Sequence, residues 1–258
     1  MNLIKYEVKN YIGYITLNRP KVLNCFDYNL LVELENLVEE IYLDEQVRVI
    51  IFTGEGEKAF SVGADLKERK SLSEKNVKRN VKKISSVFNL IRNMPQVTIA
   101  AVNGFALGAG FELMLSCDFR IAVKEAAMGL PEVNWAIIPG AGGTQLLPRL
   151  IGEQKAKELI FTGKRISAQQ AKEYGLLYQV VSRDNFYSTC NELAIEICSN
   201  APKSLIQAKY AINRGLNVDI RTGLDIEQKA YEITIPTKDR QEALNAFKEK
   251  RKPLFTGN

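Results

Sequence analysis

Short apolar runs alternate with longer segments of helical spacing along the first two thirds of the chain. The runs at 11–17, 47–53, 97–102, 119–122 and 176–181 predict strands, as does the start of the sequence. Apolar residues recur every three or four positions over 28–43 and 75–92, which predicts two helices. Because strands that alternate with helices favour parallel pairing, the fold class is predicted to be α/β.

From about residue 185 the pattern is almost wholly helical. We therefore divide the chain into residues 1–200, an α/β core that carries the active site, and residues 201–258, a helical region. The apolar face that includes Leu205, Ala208, Ile212 and Leu216 needs a partner surface.

Glycine turns and a capping pattern predict the bounds of two further helices. Residues 104–110 are predicted to form a glycine-rich turn before a helix at 111–116. Ser167 and Gln170 form a capping-box pattern that opens a helix through Tyr174, and Gly175 closes it.

Composition narrows the classes of function. The net charge of +5 suits an anionic small molecule at least as well as nucleic acid. The 258 residues include no histidine, which excludes a Ser-His-Asp triad, a Cys-His pair and any His-ligated metal. The four cysteines form no Cys-x-x-Cys pair, so we expect that the thiols are reduced and that they bind no metal.

The sequence has neither an apolar signal core nor an apolar run of membrane length. A cytoplasmic location is therefore expected, away from membranes.

The segment 100–112 is the first candidate for chemistry. A buried strand runs into Gly108-Ala109-Gly110 and then into a helix. Backbone N–H groups at a helix N-terminus can bind a developing oxyanion, and Glu112 lies within the first turn, where it can face the same pocket. The alternative is an ordinary glycine turn in which Glu112 is a first-turn acid.

Two further segments matter only in combination with the first. Gly63-Ala64 lies between an apolar run and a charged stretch, and by itself is typical of a loop. Glu132 follows Pro131 directly. Residues 140–143 form a second glycine-rich turn without the Lys-Ser/Thr ending of a phosphate loop, so we interpret it as support for the site wall, leading into a helix at Thr144.

Together, the order and spacing of these segments resemble the crotonase superfamily, the enoyl-coenzyme A (CoA) hydratases and isomerases. The resemblance runs from 17–20 to 247–251. It implies a crotonase-type spiral of repeated ββα units, with a C-terminal helical oligomerisation region and a homotrimer or homohexamer. It also implies that Glu112 and Glu132 are the two catalytic glutamates of a hydratase, and that the N–H groups of Ala64 and Ala109 form its oxyanion hole.

By the same resemblance, the substrate is an acyl-CoA thioester, so CoA is carried by the substrate and no separate cofactor is expected. Glu112 would take a proton from the water that attacks C3, and Glu132 would deliver a proton to C2. An isomerase or another crotonase-type reaction stays open. The CoA contacts would be Lys21, Ser61, Gly63, Asp65, Leu66, Lys67 and, from a neighbouring subunit, Lys250. For Lys21 and Lys250 a solvated surface charge is an equal alternative.

Stretches at 63–69, 157–161, 235–240 and 246–251 look most like the 3-methylglutaconyl-CoA hydratase branch. Leu146 and Asn134-Trp135 depart from the usual pattern. Trp135 is expected either in the site wall or in the core, and core packing is the more frequent place for an aromatic residue. The acyl group of that branch ends in a carboxylate, and Arg69 is our candidate partner for it.

Some members of that branch also bind RNA through a lysine-rich first helix. The outer face of the matching helix here, 28–43, carries glutamates, which would repel RNA. The basic residues at 75–83 are more simply a solvated helix face. No nucleic-acid partner is therefore expected.

Overall fold

The computed structural model describes residues 2–258. The first half of the chain consists of β1 (Ile4–Lys9), β2 (Ile12–Leu17), α1 (Tyr28–Tyr42), β3 (Val49–Gly54), β4 (Ala59–Ser61), α2 (Leu66–Ser71), α3 (Glu74–Arg92), β5 (Val97–Val102), β6 (Phe105–Leu107), α4 (Ala109–Ser116), β7 (Phe119–Val123) and β8 (Ala127–Gly129). The second half consists of α5 (Gly143–Ile151), α6 (Glu153–Thr162), β9 (Ile166–Ser167), α7 (Ala168–Glu173), β10 (Gln179–Val181), α8 (Arg183–Cys198), α9 (Pro202–Gly215), α10 (Ile220–Thr234) and α11 (Lys238–Glu249). Short 3-10 helices lie at Pro20–Val22 and Glu132–Trp135.

The strands form two separate sheets. The larger sheet has the order β1-β2-β3-β5-β7-β10, and the smaller has the order β4-β6-β8-β9. The pairs β3–β5, β5–β7, β4–β6 and β6–β8 are all parallel. The repeats that begin with β3, β5 and β7 each send their first strand to the larger sheet and their second to the smaller one, before a helix returns the chain. This arrangement confirms the α/β class and the spiral of ββα units.

Burial explains why these strands read as continuous apolar runs. All six residues of β3 and all six of β5 are buried, because helices cover the faces of a parallel sheet. Helix α1 packs Leu30, Leu34 and Val38 inward, and α3 packs Ile84 and Phe88. Burial of each such side chain stabilises the fold by about 1.5–3 kcal/mol.

The predicted strands and helices lie close to their observed bounds, with two exceptions. The predicted turn at 104–110 is wrong in part, because it contains strand β6 at Phe105–Leu107. The strand predicted at 176–181 covers only Gln179–Val181. Ser167 caps α7 as expected, since its hydroxyl accepts the N–H of Gln170 at 3.2 Å.

The C-terminal helices α9 to α11 attach to the core through polar contacts. The ammonium group of Lys209 on α9 donates to a carboxylate oxygen of Asp118 at 2.6 Å and to the carbonyl of Gln96 at 2.7 Å. The guanidinium of Arg48 donates to the carbonyls of Cys198 and Phe255. The predicted boundary near residue 200 falls in the link between α8 and α9, and the division into two domains stays a prediction.

Among residues 2–258, no helix is both long enough and apolar enough to span a membrane.

Candidate active site

Gly63 brings the first two site segments into contact. It follows strand β4 with a backbone φ of +94°, which residues other than glycine rarely adopt. A methyl group at Gly63 would lie 2.9 Å from the carbonyl oxygen of Leu107 and 3.0 Å from the amide nitrogen of Ala109. The loop that carries Ala64 is therefore seated directly on the start of helix α4.

Two backbone N–H groups are available at this junction. Ala109 is the first residue of α4, so its N–H has no acceptor within the helix. Among residues 2–258, neither the N–H of Ala64 nor that of Ala109 donates a backbone hydrogen bond. Gly108 precedes α4 with φ 55° and ψ −127°, which only glycine adopts readily. The chain thus offers two free donors where the loop and the helix meet.

Glu112 lies one turn into α4 and is fixed by a distant segment. Its side-chain oxygen Oε1 accepts the N–H of Ala141 at 2.8 Å and of Gly143 at 2.9 Å. Only 2% of the residue is exposed, and this burial raises the pKa of the carboxyl group, while the two N–H groups lower it. The turn at 140–143, predicted to support the site wall, therefore also holds the Glu112 carboxylate.

Glu132 begins the 3-10 helix that follows Pro131. A methyl group at Gly108 would lie 3.1 Å from its Oε1, so this carboxyl adjoins the start of α4. Its Oε2 is buried without a hydrogen-bond partner in the described part of the chain. Burial, and secondarily the charge of Glu112, raise the pKa of Glu132 to about 7, while Arg69 opposes the rise.

The three segments thus form one site with complementary chemistry. One carboxylate, Glu112, is bound by two N–H groups, and the other, Glu132, can hold a proton near neutral pH. Two unpaired N–H groups lie beside them. Such a site can bind a developing oxyanion and both remove and deliver a proton.

The residues predicted to contact CoA differ in their exposure. Lys21, Leu66, Lys67 and Lys250 are exposed. Gly63 is buried in the loop described above, and its N–H donates to the hydroxyl of Ser61 at 3.2 Å. These positions stay predictions as ligand contacts.

The side chains of Ser61 and Asp65 form contacts within the protein. Ser61 is fully buried in β4. The carboxylate of Asp65 caps helix α2 and pairs with Arg19 at 3.1 Å. Both side chains therefore shape the loop, and their part in holding CoA stays a prediction.

Trp135 does not pack in the core as predicted. It lies in the surface 3-10 helix after Glu132, and 64% of it is exposed. Ala136 then turns the chain outward with φ of +56°, and Ile137 and Ile138 are also exposed. The aromatic residue type alone does not show whether its segment lies in the core or at the surface.

Comparison with known proteins agrees with the class that this fold and site define. Residues 7–258 match the family model described as enoyl-CoA hydratase/isomerase. The chain belongs to the enoyl-CoA hydratase/isomerase family.

Individual relatives resemble nearly the whole chain. It is 52% identical to the putative enoyl-CoA hydratase/isomerase YngF of Bacillus subtilis, over 98% of each protein. It is 46% identical to the human mitochondrial methylglutaconyl-CoA hydratase, over 95% of this chain and 74% of that one. The crystal structure of an enoyl-CoA hydratase from Bacillus anthracis superimposes with a TM-score of 0.98 at 50% identity, covering 100% of both chains.

Proposed function

We propose that this protein is an enoyl-CoA hydratase that adds water across the 2,3 double bond of its thioester substrate through Glu112 and Glu132. The observation that carries this proposal is the unequal pair of carboxyl groups beside two free N–H groups. The bound Glu112 is suited to be the base. Glu132, with its raised pKa, is suited to be the acid.

The N–H groups of Ala64 and Ala109 would hold the thioester carbonyl oxygen. As water attacks, negative charge develops on that oxygen, and donors already in place stabilise it without reorganisation. Each such donor typically contributes about 2.7–4 kcal/mol to lowering the barrier.

The proton balance follows from the two carboxyl groups. Glu112 accepts a proton from water as the new bond forms between the water oxygen and C3. The electrons of the double bond move toward the carbonyl, and Glu132 donates its proton to C2. Glu112 then holds the proton taken from water and Glu132 is ionised, and exchange with solvent restores both groups.

Isomerisation of a 3-enoyl thioester is the second reaction to consider, because the family includes isomerases. Moving a double bond requires one group that shuttles a proton between two carbons. A second carboxyl group is needed to activate water. The presence of both glutamates in one site therefore favours hydration.

The acyl group is proposed from resemblance to the methylglutaconyl-CoA hydratases. The human and mouse proteins of that name are 46% and 47% identical to this chain. We propose a 3-methylglutaconyl thioester as the preferred substrate, within leucine breakdown, with crotonyl-CoA as a poorer one. A panel of acyl-CoA thioesters, followed by loss of enoyl absorbance, tests this order.

CoA would enter as part of the substrate, without a further cofactor. Lys21 and Lys67 are exposed near the loop that carries Ala64 and could contact its phosphates. Lys250, at the end of α11, would reach a phosphate only from a neighbouring subunit.

RNA binding is not favoured by the arrangement of charges. The exposed face of α1 carries Glu39 and Glu40. On α3, Lys78 pairs with Glu74 and Lys83 with Glu35, so part of its basic face is neutralised. A salt-dependent gel-shift assay tests this alternative directly.

We propose that the C-terminal helices assemble the protein into a homotrimer or homohexamer. They expose large apolar side chains that a single copy leaves in water. These include Ile212, Leu216, Ile220, Leu224, Tyr231, Leu244 and Phe247. Sedimentation equilibrium would give the number of subunits.

A cytoplasmic location is proposed from the state of the thiols. All four cysteines are free, and three of them are buried. Free thiols are typical of a reducing compartment.

The experiment that tests the proposed function removes each proposed acid or base separately. Glu112→Gln and Glu132→Gln should each lower kcat for crotonyl-CoA by about 10²–10⁴-fold, the usual contribution of a general acid or base. Glu39→Gln, at an exposed position of α1, is the matched control and should retain wild-type activity. Near-wild-type turnover in either site variant would contradict the mechanism.

A further inference from the structure

Three cations follow the proposed oxyanion donor Ala64, and only one of them is partly buried. Lys67 and Lys70 are exposed, whereas Arg69 is partly covered. Within residues 2–258, the guanidinium of Arg69 makes no ion pair and donates no side-chain hydrogen bond. By contrast, the guanidinium of the neighbouring Arg19 pairs with Asp27 and Asp65. A covered cation without a partner is one that a ligand can pair with.

Helix α2 holds Arg69 in a fixed position. The carboxylate of Asp65 accepts the N–H groups of Lys67 and Glu68 at the start of the helix. The Glu68 carboxylate accepts the N–H of Tyr28 at 3.2 Å and the amide of Asn80 at 3.2 Å. The nearest acidic side chains on this helix are therefore bound elsewhere and leave Arg69 unneutralised.

Arg69 lies a short way along the chain from one of the proposed carbonyl donors. Its helix is capped by Asp65, the residue directly after Ala64, whose loop is seated against Gly108 and Ala109. Glu132 adjoins Gly108 on the same side of this junction. With the thioester carbonyl at the N–H groups of Ala64 and Ala109, a cation on α2 five residues beyond Ala64 would be within reach of the acyl chain.

We propose that Arg69 is the specificity-determining residue that binds a carboxylate at the far end of the acyl chain. The guanidinium presents two parallel N–H donors to a carboxylate, which a lysine at the same place would not. This inference rests on the proposed hydration of an enoyl thioester and adds the chemistry by which the site selects its acyl group.

The experiment compares two substrates across matched variants. The substrates are methylglutaconyl-CoA, which ends in a carboxylate, and crotonyl-CoA, which does not. Arg69→Ala should lower kcat/KM for the acidic thioester by about 10- to 100-fold, the range for a lost hydrogen bond to a charged group. It should change kcat/KM for crotonyl-CoA by less than about threefold.

Two controls separate specificity from folding and from CoA binding. Lys70→Ala removes an exposed cation one residue away and should leave the ratio of the two kcat/KM values unchanged. Arg69→Lys keeps the charge without the paired donors and should recover part of the loss on the acidic thioester. Retained activity on crotonyl-CoA shows that each variant is folded.

The outcomes distinguish this inference from the proposed function. An equal loss on both substrates, or no loss on either, would overturn the role of Arg69 and leave the hydratase function intact. The inference would also fail if the wild type hydrates crotonyl-CoA but ignores the acidic thioester. If the wild type hydrates neither, the proposed function itself is wrong.

Discussion

The two glutamates of the site differ in what holds them. Glu112 accepts two backbone N–H groups, which fix its carboxylate and favour the ionised form. Glu132 has one buried oxygen without a partner among residues 2–258. Burial raises the pKa of both groups, and the two N–H groups oppose that rise only at Glu112. Two chemically identical side chains thus have different hydrogen-bonding surroundings, which suits one of them to be the base and the other the acid.

The pH dependence of turnover follows from this difference. Glu132 must be protonated to donate to C2, and its pKa is about 7 in the free protein, so kcat/KM for crotonyl-CoA should fall as pH rises through about 7. Glu112 must be ionised, so kcat/KM should also fall on the acidic side. A profile that keeps rising above pH 8 would exclude Glu132 as the acid.

Arg69 should affect the pH at which activity falls on the basic side of the pH profile, called here the basic limb. Its positive charge lowers the pKa of Glu132, so Arg69→Ala should raise that pKa and shift the limb upward. The measurement is the pH profile of kcat/KM with crotonyl-CoA, with Lys70→Ala as the control. A limb that stays in place or moves downward would show that Arg69 does not act on Glu132.

Residue types and their order were enough to identify the candidate glutamates, but not their partners. Glu112 is bound by Ala141 and Gly143, which lie 29 and 31 residues further along the chain. The sequence shows a glycine turn at 140–143 without showing what its N–H groups face. Likewise, Ser61 and Asp65 turn inward because of hydrogen bonds that depend on the folded loop.

At the scale of elements, three short strands lead into the site. Strands β4, β6 and β8 have three residues each, and each leads into a site segment. Three residues are too few for an alternating pattern, so periodicity could not distinguish β6 from a turn. Strands β3 and β5 of the larger sheet were predicted well because each is a fully buried and largely apolar run.

The turn at 140–143 should be sensitive to one added methyl group. At Gly143 that methyl would lie 2.9 Å from side-chain carbons of Leu130 and Pro139, and 3.0 Å from Oε1 of Glu112. Gly143→Ala should therefore displace the Glu112 carboxylate and lower kcat at least about tenfold. The free energy of unfolding should fall by about 1–3 kcal/mol, as for other overpacked sites.

The control for Gly143→Ala adds the same methyl group where there is room. Gly215→Ala, in helix α9, would place its methyl 3.7 Å from the nearest atom. Its kcat should match the wild type. Wild-type kcat in Gly143→Ala would show that the turn does not position Glu112.

At the scale of the whole molecule, a largely buried ion pair ties the helical region to the core. The side chains of Lys209 and Asp118 are 9% and 21% exposed. Lys209→Met would leave the Asp118 carboxylate with only Thr98 as a partner. The free energy of unfolding should fall by about 3 kcal/mol, the low end for a broken buried pair, because Asp118 keeps some contact with water.

Urea denaturation of Lys209→Met measures this loss. Lys203→Met, at an exposed position of the same helix, should change stability by less than about 0.5 kcal/mol. Equal stability of the two variants would show that the pair does not hold α9 to the core.

The global arrangement was predictable only in part from local pattern. Periodicity indicated an α/β body and a helical tail, and it could go no further. The spiral depends on pairing between distant strands, such as Val49 with Val97 and Ala106 with Met128. No local pattern encodes such pairing, so the spiral came from resemblance to a family.

The division of the site among successive repeats also bears on how the protein refolds. Ala64, Ala109 and Glu132 each follow the second strand of a different repeat. Helices can form from local contacts within microseconds, whereas parallel pairing across long crossovers is slow. No single repeat can form the site alone. During refolding from denaturant, helical circular dichroism should therefore return well before hydratase activity, which should follow the slowest phase.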